Sequence, residues 1–139
     1  MYTKKITYTD WLGNERTEEF NFYMTRAALM EMQFEREGGM REYLQRIIDA
    51  KDRKELVDMF KDLVLRAYGE ISEDGKYFWQ DKETKRRFAS SPVYSMMFTK
   101  MADDAEFAKE FVNGIMPPDL EKASAKPGMA PIPVAPPVN

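Results

Sequence analysis

The strongest constraint on the fold is a pair of amphipathic helical patterns between Gly38 and Gly69, separated by a short polar break. In each pattern, apolar residues recur every three or four positions, which places them on one face of a helix. Gly69 predicts the end of the second helix, since glycine adopts the left-handed cap conformation without a steric penalty. The apolar positions are Met40, Tyr43, Leu44, Ile47 and Ile48 in the first helix, and Leu56, Phe60, Leu63, Val64 and Ala67 in the second.

Neither helix is expected to be stable alone. The free energy gained by burying one stripe is offset by the entropy lost on ordering the backbone. The two apolar faces therefore need each other and further cover. Because the break between them is short, we expect an antiparallel helix pair that the rest of the chain surrounds.

The N-terminal region predicts a β-hairpin. Residues 3–9 and 16–23 each alternate between apolar and polar side chains, and a Gly13-Asn14 turn lies between them. A two-stranded hairpin is marginally stable by itself, so it must lie against an apolar surface. We expect the tandem helices to provide that surface.

The remaining chain predicts more short helices and then a different kind of segment. Ser91-Pro92 favours a helix start, because proline fits the first helical turn, and Asp103 with Glu106 favours another. Seven of the eight prolines lie from Pro117 onward, which is typical of polyproline II or disordered chain. We expect the further helices near residues 26–34, with Leu29 and Met32 facing inward, and near 82–89, 92–101 and 103–114, with Gly114 ending the last one.

The predicted fold is therefore α+β and mostly α, with an N-terminal β-hairpin packed on a bundle of about five short helices. Residues 1–116 are expected to form one folded domain, and residues 117–139 a flexible, disordered proline-rich tail. The three consecutive aromatic residues 77–79 favour either a short extended piece or a loop folded back on the core.

Composition argues against most catalytic chemistry. The chain has no Cys and no His, which removes thiolate metal sites and triads of the Ser-His type. It contains no nucleotide-binding loop and no metal-ligand spacing. We therefore predict that the protein is not an enzyme and has no cofactor or metal. No apolar run approaches the length of a membrane span, so no membrane partner is expected.

One segment keeps a nucleic-acid interpretation open. Basic side chains beside aromatic ones can hold phosphates while the rings stack on bases. The alternative is a solvated helix face anchored by its aromatic residues, and the net charge of −3 favours it. We accordingly expect no nucleic-acid partner. The residues concerned are Tyr77, Phe78, Trp79, Lys82, Lys85, Arg86 and Arg87.

A second segment predicts a surface for an apolar partner helix. Methionine and phenylalanine suit adaptable grooves, and the chain has 11 Met. The competing interpretation is ordinary core, and one or two exposed members would suffice for binding. The candidate partner-binding residues are Tyr94, Met97, Phe98, Met101, Phe107 and Phe111.

The chain resembles the tail assembly chaperones of long-tailed bacteriophages, collinearly over about residues 5–117. None of the matching pieces is a catalytic signature. They are the Gly13-Asn14-Glu15-Arg16 turn, the Gly38-Gly39 break, the Ala67-Tyr68-Gly69-Glu70 helix end and Asn113-Gly114-Ile115 before the prolines.

The resemblance implies a non-enzymatic protein that binds the long, helical tape measure protein, keeps it soluble and helps recruit tail tube subunits. It also implies a location in the host cytoplasm, absence from the mature virion and, as in many members, a longer frameshifted form. The tail tube protein and that longer form would be further partners. The alternatives are a structural protein of the virion tail or head, and a small nucleic-acid-binding regulator.

Overall fold

The N-terminal hairpin forms as predicted. A computed structural model describes residues 1–35, 38–49 and 52–117, without the side chain of Ile48. Strand β1 (Tyr2–Thr9) pairs antiparallel with β2 (Glu15–Phe22) along its whole length. The predicted tail beyond Pro117 and the predicted inward position of Ile48 lie outside the described residues.

The hairpin belongs to a four-stranded sheet rather than standing alone. Strand β3 (Tyr68–Ile71) pairs with the last two residues of β2, and β4 (Phe78–Trp79) pairs with β3. All pairs are antiparallel, in the order β1-β2-β3-β4. Of the two possibilities for residues 77–79, the extended one is correct.

The prediction that Gly69 ends the second helix as a left-handed cap was wrong. That helix ends at Ala67, and Tyr68 already has extended backbone angles, φ −66° and ψ 140°. Gly69 lies within β3, where a Cβ atom would come 2.5 Å from the ring of Phe78. The glycine is needed for this close approach and not for a turn.

The described residues form six helices, one more than the approximate number predicted. Asp52 accepts a hydrogen bond from the Lys54 amide and so caps the helix that begins at Arg53. The last helix is capped by Asp104 rather than by Asp103 as predicted, because Asp103 is still part of the preceding helix. The helices are α1 (Arg26–Glu35), α2 (Gly39–Asp49), α3 (Arg53–Ala67), α4 (Lys82–Ala89), α5 (Pro92–Asp103) and α6 (Ala105–Ile115).

The hairpin packs on the C-terminal helices, so the prediction that it lies on the tandem helices was wrong. β1 lies against α5 and α6. The ring of Phe22 contacts those of Phe88 and Phe111, with centroids 5.8 and 5.3 Å away. Tyr2 meets Phe111 edge-on at 5.5 Å. Aromatic side chains from β1, β2, α4 and α6 thus form the centre of the core.

The tandem helices also find their main cover elsewhere than predicted. α3 packs most extensively on α5, and α2 on α1. The link between α2 and α3 is more local: the Tyr43 hydroxyl donates to the Met59 carbonyl at 2.7 Å and contacts an Asp62 carboxylate oxygen at 2.9 Å. None of the helices in the described residues is long and apolar enough to cross a membrane.

Candidate partner-binding surfaces

Four of the six predicted partner-binding residues lie in the core. Met97, Met101, Phe107 and Phe111 are each at most 6% exposed. They are buried because α5 and α6 pack on one another and under β1. A partner docking on the folded protein cannot touch these four side chains, so in this conformation they act as core residues.

The other two predicted residues, Tyr94 and Phe98, are half-buried on α5. Their rings meet edge-on at 5.2 Å, and the Lys61 ammonium lies 5.5 Å from the Phe98 ring centroid. Burial, and secondarily the charge of Asp62, raise the pKa of the Tyr94 hydroxyl. That Tyr94 and Phe98 bind a partner stays a prediction, and the surface they expose is small.

Two of the three exposed large apolar side chains on the described helices lie instead on α1. Its inward face contributes Met32, fully buried, with Leu29 beside it. Its outward face, called here the α1 stripe, consists of Ala27, Met30 and Phe34, spaced three and four residues apart. Met30 is 61% exposed and Phe34 83%. The same spacing was readable from the sequence, but we assigned only the inward face.

A second exposed apolar surface is the hairpin tip, Trp11 and Leu12. Leu12 is 86% exposed, although the turn that carries it is held firmly. The Asp10 carboxylate accepts hydrogen bonds from the amides of Leu12 and Asn14, and from Arg16 Nε at 2.6 Å. Arg16 and these amides lower the pKa of Asp10. Trp11 Nε1 donates to the Ser90 carbonyl.

A third exposed surface is the pair Tyr77 and Trp79, called here the aromatic platform. Their rings stack with centroids 5.2 Å apart and planes inclined by 26°. Each is about half exposed, 55% for Tyr77 and 48% for Trp79. Phe78, between them in sequence, lies on the opposite face of the sheet and covers Gly69.

The basic helix next to this platform is largely engaged within the protein. Lys85 Nζ donates to the carbonyls of Leu65 and Arg66 at 2.6 and 2.8 Å, which satisfies the C-terminal end of α3. Burial, and secondarily Arg66, lower the pKa of Lys85 to about 8. Arg87 pairs with Glu70 and Glu83.

Arg86 forms a longer ion pair with Glu83, at 3.8 Å. Among the described residues, Lys85, Arg86 and Arg87 each have a hydrogen bond or ion pair within the protein, and Lys82 does not. The helix therefore presents few unpaired cations to phosphate groups. This observation favours the solvated-helix interpretation over the nucleic-acid one. Within the described residues, no group of three or more Asp, Glu, His or Cys is placed to hold a metal ion.

Comparison with known proteins identifies one family. A family model described as phage tail assembly chaperone matches residues 1–134. The match confirms the resemblance seen in the sequence and extends it through most of the proline-rich segment. No curated protein and no solved structure matches the chain.

Proposed function

This chain belongs to the phage tail assembly chaperones, and on that premise we propose that it binds the tape measure protein, keeps it soluble and helps recruit tail tube subunits. This role requires a protein-binding surface and requires no catalysis, cofactor or metal. The partners are the tape measure protein and, in later assembly steps, the tail tube protein and a longer frameshifted form of this chain. Nucleic acid and membranes are not partners in this proposal.

The α1 stripe is the observation that carries the proposal. A helix with one apolar face buries that face against the core of its own domain. α1 is apolar on two opposite faces, and the core covers only one of them. A helix of that kind normally lies in an interior, so its outer side calls for a further partner. An apolar stripe on a long helical protein is a suitable one, since helices dock through residues spaced three and four apart.

Methionine and phenylalanine are suited to such a partner. The thioether of Met30 is flexible and polarizable, so it can adapt to different positions along a repetitive helix. Phe34 supplies a large apolar area, which is the usual source of binding free energy at an interface. The half-buried Tyr94 and Phe98 offer less accessible area, and we assign them a secondary role.

Co-expression with the tape measure protein tests the proposal. The wild-type chain should increase the soluble fraction of the tape measure protein and be retained with it in a pull-down. The double variant Met30→Glu/Phe34→Glu should lose both effects, because carboxylates would be desolvated at the interface. Ser95→Glu, on the exposed side of α5, is the control and should behave as wild type. Absence of a complex with the wild-type chain would overturn the proposal.

The site of action in this proposal is the host cytoplasm, and the mature virion lacks the protein. Mass spectrometry of purified particles tests this against the alternative of a structural tail or head protein. Trace or no signal is expected, and a stoichiometric amount would favour the structural role. Sequencing the coding region past residue 139 tests for the longer form, which requires a slippery site and an overlapping reading frame.

A further inference from the structure

The aromatic platform suggests a second interaction, independent of the tape measure protein. We propose that Tyr77 and Trp79 bind the chain's own proline-rich segment from Pro131 to Pro137. Exposed aromatic rings are the surface on which polyproline II segments dock, because proline rings pack flat against them and the extended segment loses little entropy. The platform is stacked and each ring is about half exposed, so part of its aromatic surface is accessible to such a segment.

The composition of the segment matches this surface. Residues 131–137 read PIPVAPP and contain four prolines and no charge. Pro133 and Pro136 have the spacing of the PxxP ligands recognised by aromatic grooves. The whole stretch from Pro127 to Val138 is also without charge, so no ionic group has to be desolvated on docking.

The path of the chain places the origin of the tail near the platform. Pro117 is buried, and the Ile115 carbonyl accepts a hydrogen bond from the Met24 amide. The preceding Tyr23 carbonyl accepts one from the side chain of Gln80, which directly follows Trp79. Two hydrogen bonds and two peptide links thus connect the end of α6 to the platform.

The tether is long enough for the remaining distance. From Pro117 to Pro131 the chain advances 14 residues, which in a polyproline II conformation span about 43 Å. That is roughly three times the radius of gyration expected of a domain of this size. A linked segment has an effective concentration in the millimolar range, so even weak docking would be well populated.

Energy transfer within the full-length chain tests the proposal. The chain has no Cys, so Ala135→Cys provides one site for a dye that accepts excitation from tryptophan. Trp11→Phe leaves Trp79 as the donor, since the chain has two tryptophans. We expect the transfer efficiency to be about twofold higher than in the variant whose four prolines, Pro131, Pro133, Pro136 and Pro137, are replaced by alanine.

Two further variants locate the interaction. Tyr77→Ala should lower the transfer as much as the four alanines do, because it removes half of the platform while the donor remains. Replacing Pro118 and Pro127 by alanine, outside the docking segment, should leave it unchanged. Equal efficiencies in the native and four-alanine tails would overturn the proposal. So would transfer that falls when unlabelled chain is added, since that result would place the tail on another copy.

Discussion

The ring of Phe22 meets the ring of Phe111 edge-on, with centroids 5.3 Å apart and planes at 69°. This contact joins β2 to α6 and is closed on its other sides by Tyr2, Tyr68 and Phe88. It explains why part of the predicted partner-binding face is inaccessible, because the aromatic residues of the last helix pack against the sheet. The apolar surfaces available to a partner therefore lie on other elements, among them α1 with Met30 and Phe34.

The central position of Phe111 predicts a large effect of truncation. Phe111→Ala should lower the free energy of unfolding by about 3–5 kcal/mol, through lost burial and the cavity left behind. Phe34→Ala is the matched control, since the same atoms are removed from an 83% exposed side chain, and it should change stability by no more than about 0.5 kcal/mol. Urea denaturation measures both, and similar costs at the two positions would contradict the structure.

The close approach at Gly69 predicts a coupled pair of substitutions. Gly69→Ala should cost about 1–3 kcal/mol, because the new Cβ would overlap the ring of Phe78. Adding Phe78→Ala removes that ring and should abolish the extra cost, which a double-mutant cycle detects as a coupling free energy. Additive effects, or a Gly69→Ala variant as stable as wild type, would show that the ring does not restrict this glycine.

The observed cap of α6 predicts unequal effects of two neighbouring carboxylates. Asp104 accepts hydrogen bonds from the amides of Glu106 and Phe107, so Asp104→Ala should cost about 0.5–2 kcal/mol. Asp103 forms an exposed ion pair with Arg53, so Asp103→Ala should cost no more than about 1 kcal/mol. Thermal unfolding measures the loss of stability in both variants. A larger loss for Asp103→Ala than for Asp104→Ala would favour Asp103 as the cap, as predicted from the sequence.

The environment of Lys85 predicts a pH dependence of stability. Its pKa is about 8 in the folded chain and 10.5 for a free side chain, so between these values the unfolded chain binds more protons. The free energy of unfolding should therefore rise with pH across this window. Burial raises the pKa of Tyr2 and Tyr68, which acts in the opposite direction above pH 10.

The measurement is consequently made between pH 8 and 10, by urea denaturation. Lys85→Met should flatten the rise, whereas Lys54→Met, at an exposed position on α3, should leave it intact. A wild-type stability that is flat or falling over this range would contradict the buried placement of the Lys85 ammonium.

The elements with long periodic patterns were predictable from the sequence. The hairpin, the tandem helices and the inward face of α1 through Met32 all follow from apolar spacing over eight residues or more. Strands β3 and β4 were not predictable as a pair, because four and two residues are too short to show alternation. β3 is stabilised by pairing with β2 and β4 by pairing with β3, and the β2–β3 pairing is a tertiary interaction.

Two glycines show a further limit of sequence reasoning. Gly69 and Gly114 were both interpreted as helix stops, yet each lies under an aromatic ring, of Phe78 and Tyr2 respectively. A single sequence does not distinguish a glycine needed for its backbone angles from one needed for its lack of a side chain. For the same reason four of the six candidate partner-binding residues lie in the core, since an apolar stripe looks alike whether it faces the core or a partner.

Methionine oxidation in the complex tests the central claim, that the α1 stripe binds the tape measure protein. Met30 and Met96 are both exposed, at 61% and 43%, and lie on different helices, so one chain contains the probe and its control. Mass spectrometry after brief peroxide treatment should show Met30 oxidised severalfold more slowly in the complex than in the free protein, with Met96 unchanged. Equal oxidation of Met30 in both states, or protection of Met96 in its place, would contradict the account.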